Sequence, residues 1–203
     1  MVCVRKLIEG PSILICEGDI KVIRPNVIVH PTNSHFEIHG DLGKEIRNVN
    51  GDAFHETMEK LRGEKRSLAP GEAAIENGMN LGTTKVIHAN VLNSLRNKKE
   101  KCLPKTVQNV LKLAEQENFK GVVFPEMGCG KIPAEQAAKA VVDTLVDYFS
   151  SVSKQSCITA ITLLFSDFGN TNDFENMQVY REYLKNLEGG QLEKFEDCIA
   201  SSE

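Results

Sequence analysis

The sequence has no excess of positive charge, no long apolar run and no closely spaced cysteine pair. Its 203 residues carry 24 Lys and Arg against 28 Asp and Glu, a formal net charge of −4, so a broad basic face for duplex nucleic acid is not favoured. No apolar run reaches the roughly 18 residues of a membrane span, and the first residues lack the core of a signal peptide. These absences favour an intracellular protein that does not contact a membrane.

The cysteines are scattered, with no C-x-x-C spacing, which favours free thiols in a reducing compartment over a disulfide framework or a zinc site. His55 has no second histidine at metal-binding spacing. His30 and His88 lie within apolar runs and are expected to be core residues. We therefore expect no metal and no cofactor. The six cysteines are Cys3, Cys16, Cys102, Cys129, Cys157 and Cys198.

Length and composition indicate one ordinary globular domain. A chain of 203 residues with 41% hydrophobic and 26% charged residues can bury a proper core. Gly189 and Gly190 mark the end of the folded part. We expect a single domain over residues 1–188 and a fraying acidic tail over residues 189–203.

Residues 122–133 form the stretch around which the rest of the chain is organised. Residues 122–124 predict a buried strand, and Pro133 suits the first position of a helix. The glycine loop between them can offer backbone N–H groups to an anion. A plain strand-to-helix turn that needs two glycines is the alternative. It is not a Walker loop, because Ile132 stands where Ser or Thr would be required.

Strand-like and helix-like segments alternate along the chain, which predicts an α/β fold with a mixed or parallel sheet covered on both faces. An Asn77-Gly78 turn is expected after the fourth strand. In such a sheet, the loops after Cys16, His30, Phe124 and Phe165 meet at one edge. The predicted strands are 2–8, 13–16, 27–30, 72–76, 85–91, 122–124 and 158–165, and helices begin near residues 42, 53, 106, 134 and 174.

The loops at that edge carry the groups that a nucleotide diphosphate needs. Asp19 can accept from an exocyclic amine, Asn33 can contact a ribose hydroxyl, and Phe165 can stack on a base. The glycines at Gly40 and Gly130 allow close backbone approach to phosphates. Each group also has a structural alternative: Asp19 as a helix N-cap, Asn33 as a turn residue and Phe165 as a core residue.

Four motifs in this order resemble the macrodomain family. They are Gly18-Asp19-Ile20, the run V-I-V-H-P-T-N over residues 27–33, V-I-H-A-N over residues 86–90, and the segment from Phe124 to Gly130. The H-P-T-N sequence is particularly similar to the branch found in core histone macro proteins. The resemblance covers roughly residues 13–187 and implies a three-layer α/β/α sandwich.

The resemblance also implies an ADP-ribose site. By motif, Asp19 holds the adenine amino group with Ile20 beside the ring, and Asn33 reaches the distal ribose. Gly40, Asp41 and Leu42 line a first phosphate loop. Gly128, Cys129, Gly130, Lys131 and Ile132 form a second, and Phe165 lies against the adenine.

The implied function is a non-catalytic reader of free, protein-linked or polymer-end ADP-ribose. Its expected partners are ADP-ribosylated proteins, auto-modified poly-ADP-ribose polymerase and chromatin, with a nuclear location and a monomeric state. Here the first phosphate loop departs from the commoner glycine run, and Asp41 is a possible carboxylate for hydrolysis. An ADP-ribosyl hydrolase or phosphatase, and a chromatin domain with a non-binding pocket, are the alternatives.

Overall fold

The computed structural model describes residues 2–6, 10–18, 26–38, 40–65, 67–81, 84–91, 99–127, 132–152, 155–165, 171–187 and 196–198. The strands are β1 (Val2–Lys6), β2 (Ser12–Glu17), β3 (Val27–Thr32), β4 (Ala73–Leu81), β5 (Thr84–Asn90), β6 (Gly121–Pro125), β7 (Ala160–Phe165) and β8 (Glu196–Cys198). The helices are α1 (Gly40–Asn50), α2 (Asp52–Lys65), α3 (Lys99–Gln116), α4 (Ala134–Val152) and α5 (Thr171–Asn186).

The strands form one mixed sheet in the order β4-β5-β3-β6-β7-β2-β1-β8. Neighbours from β5 to β2 pair in parallel, whereas β4, β1 and β8 pair antiparallel at the two sides. Parallel neighbours need crossover connections, and the helices supply them. The predicted mixed α/β sheet is confirmed. None of the described helices is long and apolar enough to cross a bilayer.

Helices cover both faces of the sheet. Val107, Val110 and Leu111 of α3 recur at helical spacing and pack with α4 and α5 on one face. Phe54 and Met58 of α2 pack with α1 on the other face. β3 is buried at every position because it lies between both layers. The three-layer sandwich predicted from the sequence is therefore confirmed.

The chain changes direction between β3 and β6, which are neighbours in the sheet. From β3 it runs through α1, α2 and β4 to β5 on one side, and from β6 it runs through α4 to β7 on the other. β3 and β6 share only two register pairs, Val27 with Val122 and Ile28 with Val123. Both strands continue beyond these pairs towards their carboxyl ends, where the chain changes direction. Ligands of open α/β sheets bind at such switch points.

One local prediction was wrong. The expected turn at Asn77-Gly78 is absent, because β4 continues through it and its pairing with β5 absorbs the dipeptide in a register irregularity between Glu76 and Leu81. Within residues 189–203, the three residues Glu196–Cys198 form a strand that pairs with β1. β1 would otherwise leave backbone N–H and C=O groups unpaired at the side of the sheet, and β8 satisfies them.

Candidate ligand-binding site

The carboxyl ends of β2, β3, β6 and β7 lie at one edge of the sheet. Glu17 is in register with Phe165, and the N–H of Gly18 donates to the carbonyl of Phe165 at 3.0 Å. Asn33 follows β3 directly, and Glu126 follows β6. The predicted meeting of four loops at one edge is confirmed for the described residues.

The amide of Asn33 folds the loop that follows β3, residues 33–38. Its Oδ1 accepts from the N–H of His35 at 2.9 Å and from the N–H of Glu37 at 3.2 Å. Its Nδ2 donates to Oε2 of Glu37 at 2.5 Å. Asn33 is thus a turn residue, one of the two roles that the sequence left open. Its side chain is also half-buried at the edge where the ligand is expected.

A buried aromatic ring and two further hydrogen bonds hold the same loop, residues 33–38, in place. Phe36 adopts a left-handed conformation (φ 58°) with its ring fully buried, edge-on to the ring of His88. A bulky residue at positive φ is strained, so burial of the ring must offset that cost. The hydroxyl of Thr32 donates to the carbonyl of Glu37 at 2.7 Å, and the N–H of Leu68 donates to the carbonyl of Ser34 at 3.0 Å. The loop is therefore held at both ends and at its centre.

Beneath this loop, neighbouring strands carry a column of buried polar side chains. His30 and Thr32 of β3 lie beside His88 and Asn90 of β5, and all are at most 1% exposed. Nδ1 of His30 is 2.9 Å from Nδ1 of His88, a contact that requires one N–H and one lone pair. Burial, with added repulsion from His30, lowers the pKa of His88 well below its usual value. The expectation that both histidines are core residues is confirmed.

The residues of the predicted first phosphate loop begin α1. Gly40 is exposed and has φ +67°, a conformation that glycine adopts without strain. Gly43 is buried, and a Cβ added there would lie 2.8 Å from both Nε2 of His30 and Cγ2 of Ile38. Leu42 is half-buried against the α1/α2 core, and the side chain of Asp41 lies outside the described part. The N–H groups in the first turn of a helix have no intrahelical partners, and such donors suit an anion.

The predicted second phosphate loop is followed by a well-packed helix start. Ile132 is 9% exposed and belongs to the core beneath α4. The N–H of Ala137 donates to the carbonyl of Pro133 at 3.0 Å, so α4 begins immediately after residues 128–132. α1 and α4 are the helices that follow the adjacent strands β3 and β6. Gly128, Cys129, Gly130 and Lys131 lie outside the described residues.

The two remaining parts of the predicted site belong to the adenine end. Asp19 and Ile20 lie outside the described residues, although Gly18 immediately before them is fixed to the end of β7. Phe165 ends β7 as expected, but its ring is 2% exposed and packs at 5.2 Å, edge-on, against Tyr180. It is a core residue in this arrangement, and its contact with adenine stays a prediction.

Sequence reasoning missed two features of this region. The Asn33–Glu37 contact depends on the left-handed conformation of Phe36, which no motif in the sequence predicts. The buried polar column did have a signal, because His30-x-Thr32 and His88-x-Asn90 repeat the same two-residue spacing in two strands. A polar pair at strand period inside apolar runs indicates side chains that share one face and need each other as partners.

The sequence model of the Macro domain family matches residues 29–141. The chain belongs to the macrodomain family. This macrodomain is 28% identical over 180 residues to histone macroH2A1.1 of Capsaspora owczarzaki, covering 87% of this chain and 47% of the histone. The chain therefore spans just under half the length of that relative. It is also 28% identical over 178 residues to an O-acetyl-ADP-ribose deacetylase of an Enterobacter species, covering 86% of this chain and 94% of the enzyme.

A solved macrodomain has the same fold. The Oceanobacillus iheyensis macrodomain with ADP superposes with a TM-score of 0.75 at 21% identity, covering 91% of this chain and 96% of the other. Similarity at this level of identity supports the fold of this macrodomain and does not identify its ligand.

Proposed function

We propose that this macrodomain binds ADP-ribose, free or attached to a protein or polymer end, in the crevice between β3 and β6. The observation that carries the proposal is the switch point between β3 and β6, where the register pairing stops at Ile28 and Val123 and each strand leads to a helix. Two helix N-termini beside one opening favour a doubly charged diphosphate. The solved relative is a macrodomain with ADP, which is compatible with this ligand class.

The proposed ligand lies along the sheet edge. Its diphosphate contacts the N–H groups of the loop beginning at Gly40 and of the loop through Gly130. Its distal ribose lies at Asn33, whose Nδ2 can still donate a second hydrogen because the amide nitrogen carries two. Its adenine lies towards Asp19, which follows the end of β2. Hydrogen bonds to the charged carboxylate would select the adenine amino group.

We propose a reader without catalysis. The buried position in the first turn of α1 is Gly43, where even an added Cβ would lie 2.8 Å from His30, so no acidic side chain fits at that position. A hydrolase is the second candidate, and the similarity to the O-acetyl-ADP-ribose deacetylase of the Enterobacter species favours it. For that activity Asp41 is the candidate carboxylate in the same helical turn.

The similarity to histone macroH2A1.1 supports a chromatin context and a nuclear location as part of the proposal. In that context the partners would be ADP-ribosylated proteins, including an auto-modified poly-ADP-ribose polymerase. A chromatin domain that no longer binds the nucleotide is the third candidate.

Calorimetric titration with ADP-ribose tests the proposal. We expect saturable one-to-one binding, and absence of heat at high ligand concentration would favour the non-binding chromatin domain. Incubation with an ADP-ribosylated protein then separates reader from hydrolase. Retention of the modification through many hours supports the reader, whereas release with repeated turnover would establish the enzyme.

A further inference from the structure

We infer that Glu37 makes the distal-sugar end of the site selective for a free hydroxyl and unfavourable to an anionic substituent. The inference rests on the proposed ADP-ribose site and concerns a carboxylate that none of the sequence motifs includes. It follows from how the amide of Asn33 is already engaged.

The first step is the hydrogen-bonding capacity of Asn33. Its Oδ1 has two lone pairs, and both are used by the N–H groups of His35 and Glu37. One hydrogen of Nδ2 is donated to Oε2 of Glu37. The amide therefore offers a ligand a single remaining donor, and a ligand atom that takes it must be an acceptor.

The second step is the position of the Glu37 carboxylate. The backbone of Glu37 is fixed on both sides, because its N–H donates to Asn33 and its carbonyl accepts from Thr32. Its side chain is nevertheless exposed. The loop therefore holds the carboxylate at the sheet edge, within one hydrogen-bond length of the Asn33 amide nitrogen that the distal sugar is proposed to approach.

The third step is the chemistry of the ligand atom. A hydroxyl oxygen can accept from Nδ2 of Asn33 and donate its own hydrogen to the carboxylate of Glu37. An ester carbonyl has no hydrogen to donate, and a phosphate oxygen places a second negative charge beside the carboxylate. The pair therefore favours a distal ribose whose hydroxyl at this position is free and disfavours one that carries a phosphate there.

Calorimetry on the full 203-residue chain tests the inference with three ligands: ADP, ADP-ribose and ADP-ribose phosphorylated on the distal ribose. Glu37→Gln removes the charge and keeps an oxygen that can accept from Asn33. Glu117→Gln is the matched control, because Glu117 is exposed at the end of α3, next to the opposite edge of the sheet.

We expect Glu37→Gln to weaken ADP-ribose binding about tenfold, the loss of one charge-assisted hydrogen bond. The affinity for ADP, which has no distal ribose, should change less than about twofold, and the affinity for the phosphorylated ligand should rise. Glu117→Gln should leave all three affinities at the wild-type values.

An unchanged ratio of ADP-ribose to phosphorylated-ligand affinity in Glu37→Gln would overturn the inference. An equal loss for ADP and ADP-ribose would also overturn it, because the effect would not be at the distal sugar. In both cases wild-type binding of ADP-ribose would leave the proposed function standing. Wild-type protein that binds neither ADP nor ADP-ribose would instead overturn the proposed function, and the inference with it.

Discussion

Nδ1 of His30 and Nδ1 of His88 lie 2.9 Å apart on neighbouring parallel strands, under the loop that carries Asn33. The contact needs one ring to donate and the other to accept, so it exists only while one of these two nitrogens is unprotonated. Two titratable imidazoles that share one hydrogen therefore lie beneath the loop of the proposed site.

Acid should therefore destabilise the domain before its carboxylates titrate. The pKa of His88 is lowered well below 6.5, first by burial and then by His30. Below pH 6.5 the unfolded chain binds a proton that the buried His88 does not, so stability falls as pH falls, by up to about 1.4 kcal/mol per pH unit. Urea denaturation at several pH values measures this slope. His88→Phe should flatten it, whereas replacement of the exposed His55 by Gln should not. Equal slopes in the wild type and His88→Phe would contradict the prediction.

Gly43→Ala should destabilise the domain, whereas Gly63→Ala should stabilise it. A Cβ at Gly43 meets His30 and Ile38 at 2.8 Å, and the buried imidazole cannot move aside freely, so we expect a loss of about 1–3 kcal/mol. Gly63 lies in α2 with no atom within 4 Å of the added Cβ, so alanine should add up to about 1 kcal/mol through helix propensity. Equilibrium denaturation measures both. Similar changes in the two variants would show that the contact with His30 is unimportant.

Gly40→Glu should abolish most ADP-ribose binding through charge and bulk at the first phosphate loop. Gly40 has φ +67° and open space around it, so the substitution also costs about 1–2 kcal/mol in backbone strain. Gly51→Glu is the matched control, since Gly51 has φ +53°, is equally open and lies at the far end of α1. Both variants should lose similar stability, and calorimetry should find weakened binding only in the first. Tight binding by Gly40→Glu would refute the loop assignment.

Asp19→Ala should weaken ADP-ribose binding about tenfold or more, because it removes a charge-assisted hydrogen bond to the adenine amino group. The thermal unfolding midpoint should stay at the wild-type value. Asp147→Ala, at an exposed position of α4, serves as the control. If Asp19→Ala binds with wild-type affinity, the adenine lies elsewhere.

The sequence predicted two features well, the three α/β/α layers and the sheet edge at which the four loops meet, because both follow from local patterns. The buried run of β3 and the alternation of strands with helices were sufficient to place Asn33 and the loop before α4 at the same edge of the sheet. The Asn77-Gly78 turn failed because pairing with β5 overrides a dipeptide preference.

The details of the site were less predictable because they depend on register and on one unusual backbone conformation. Opposition of His30 and His88 requires the β3–β5 register, which no single strand specifies. The meeting of Glu37 with Asn33 requires the left-handed turn at Phe36. Neither relation can be deduced from propensities, since each arises from contacts between segments.

The short pairing between β3 and β6 has a mechanical consequence. Only two register pairs join these neighbours, although both strands continue beyond them. Because a strand pair with few ladder hydrogen bonds separates more easily than a longer one, we expect the sheet to yield first at this boundary when a bulky, protein-linked ligand enters.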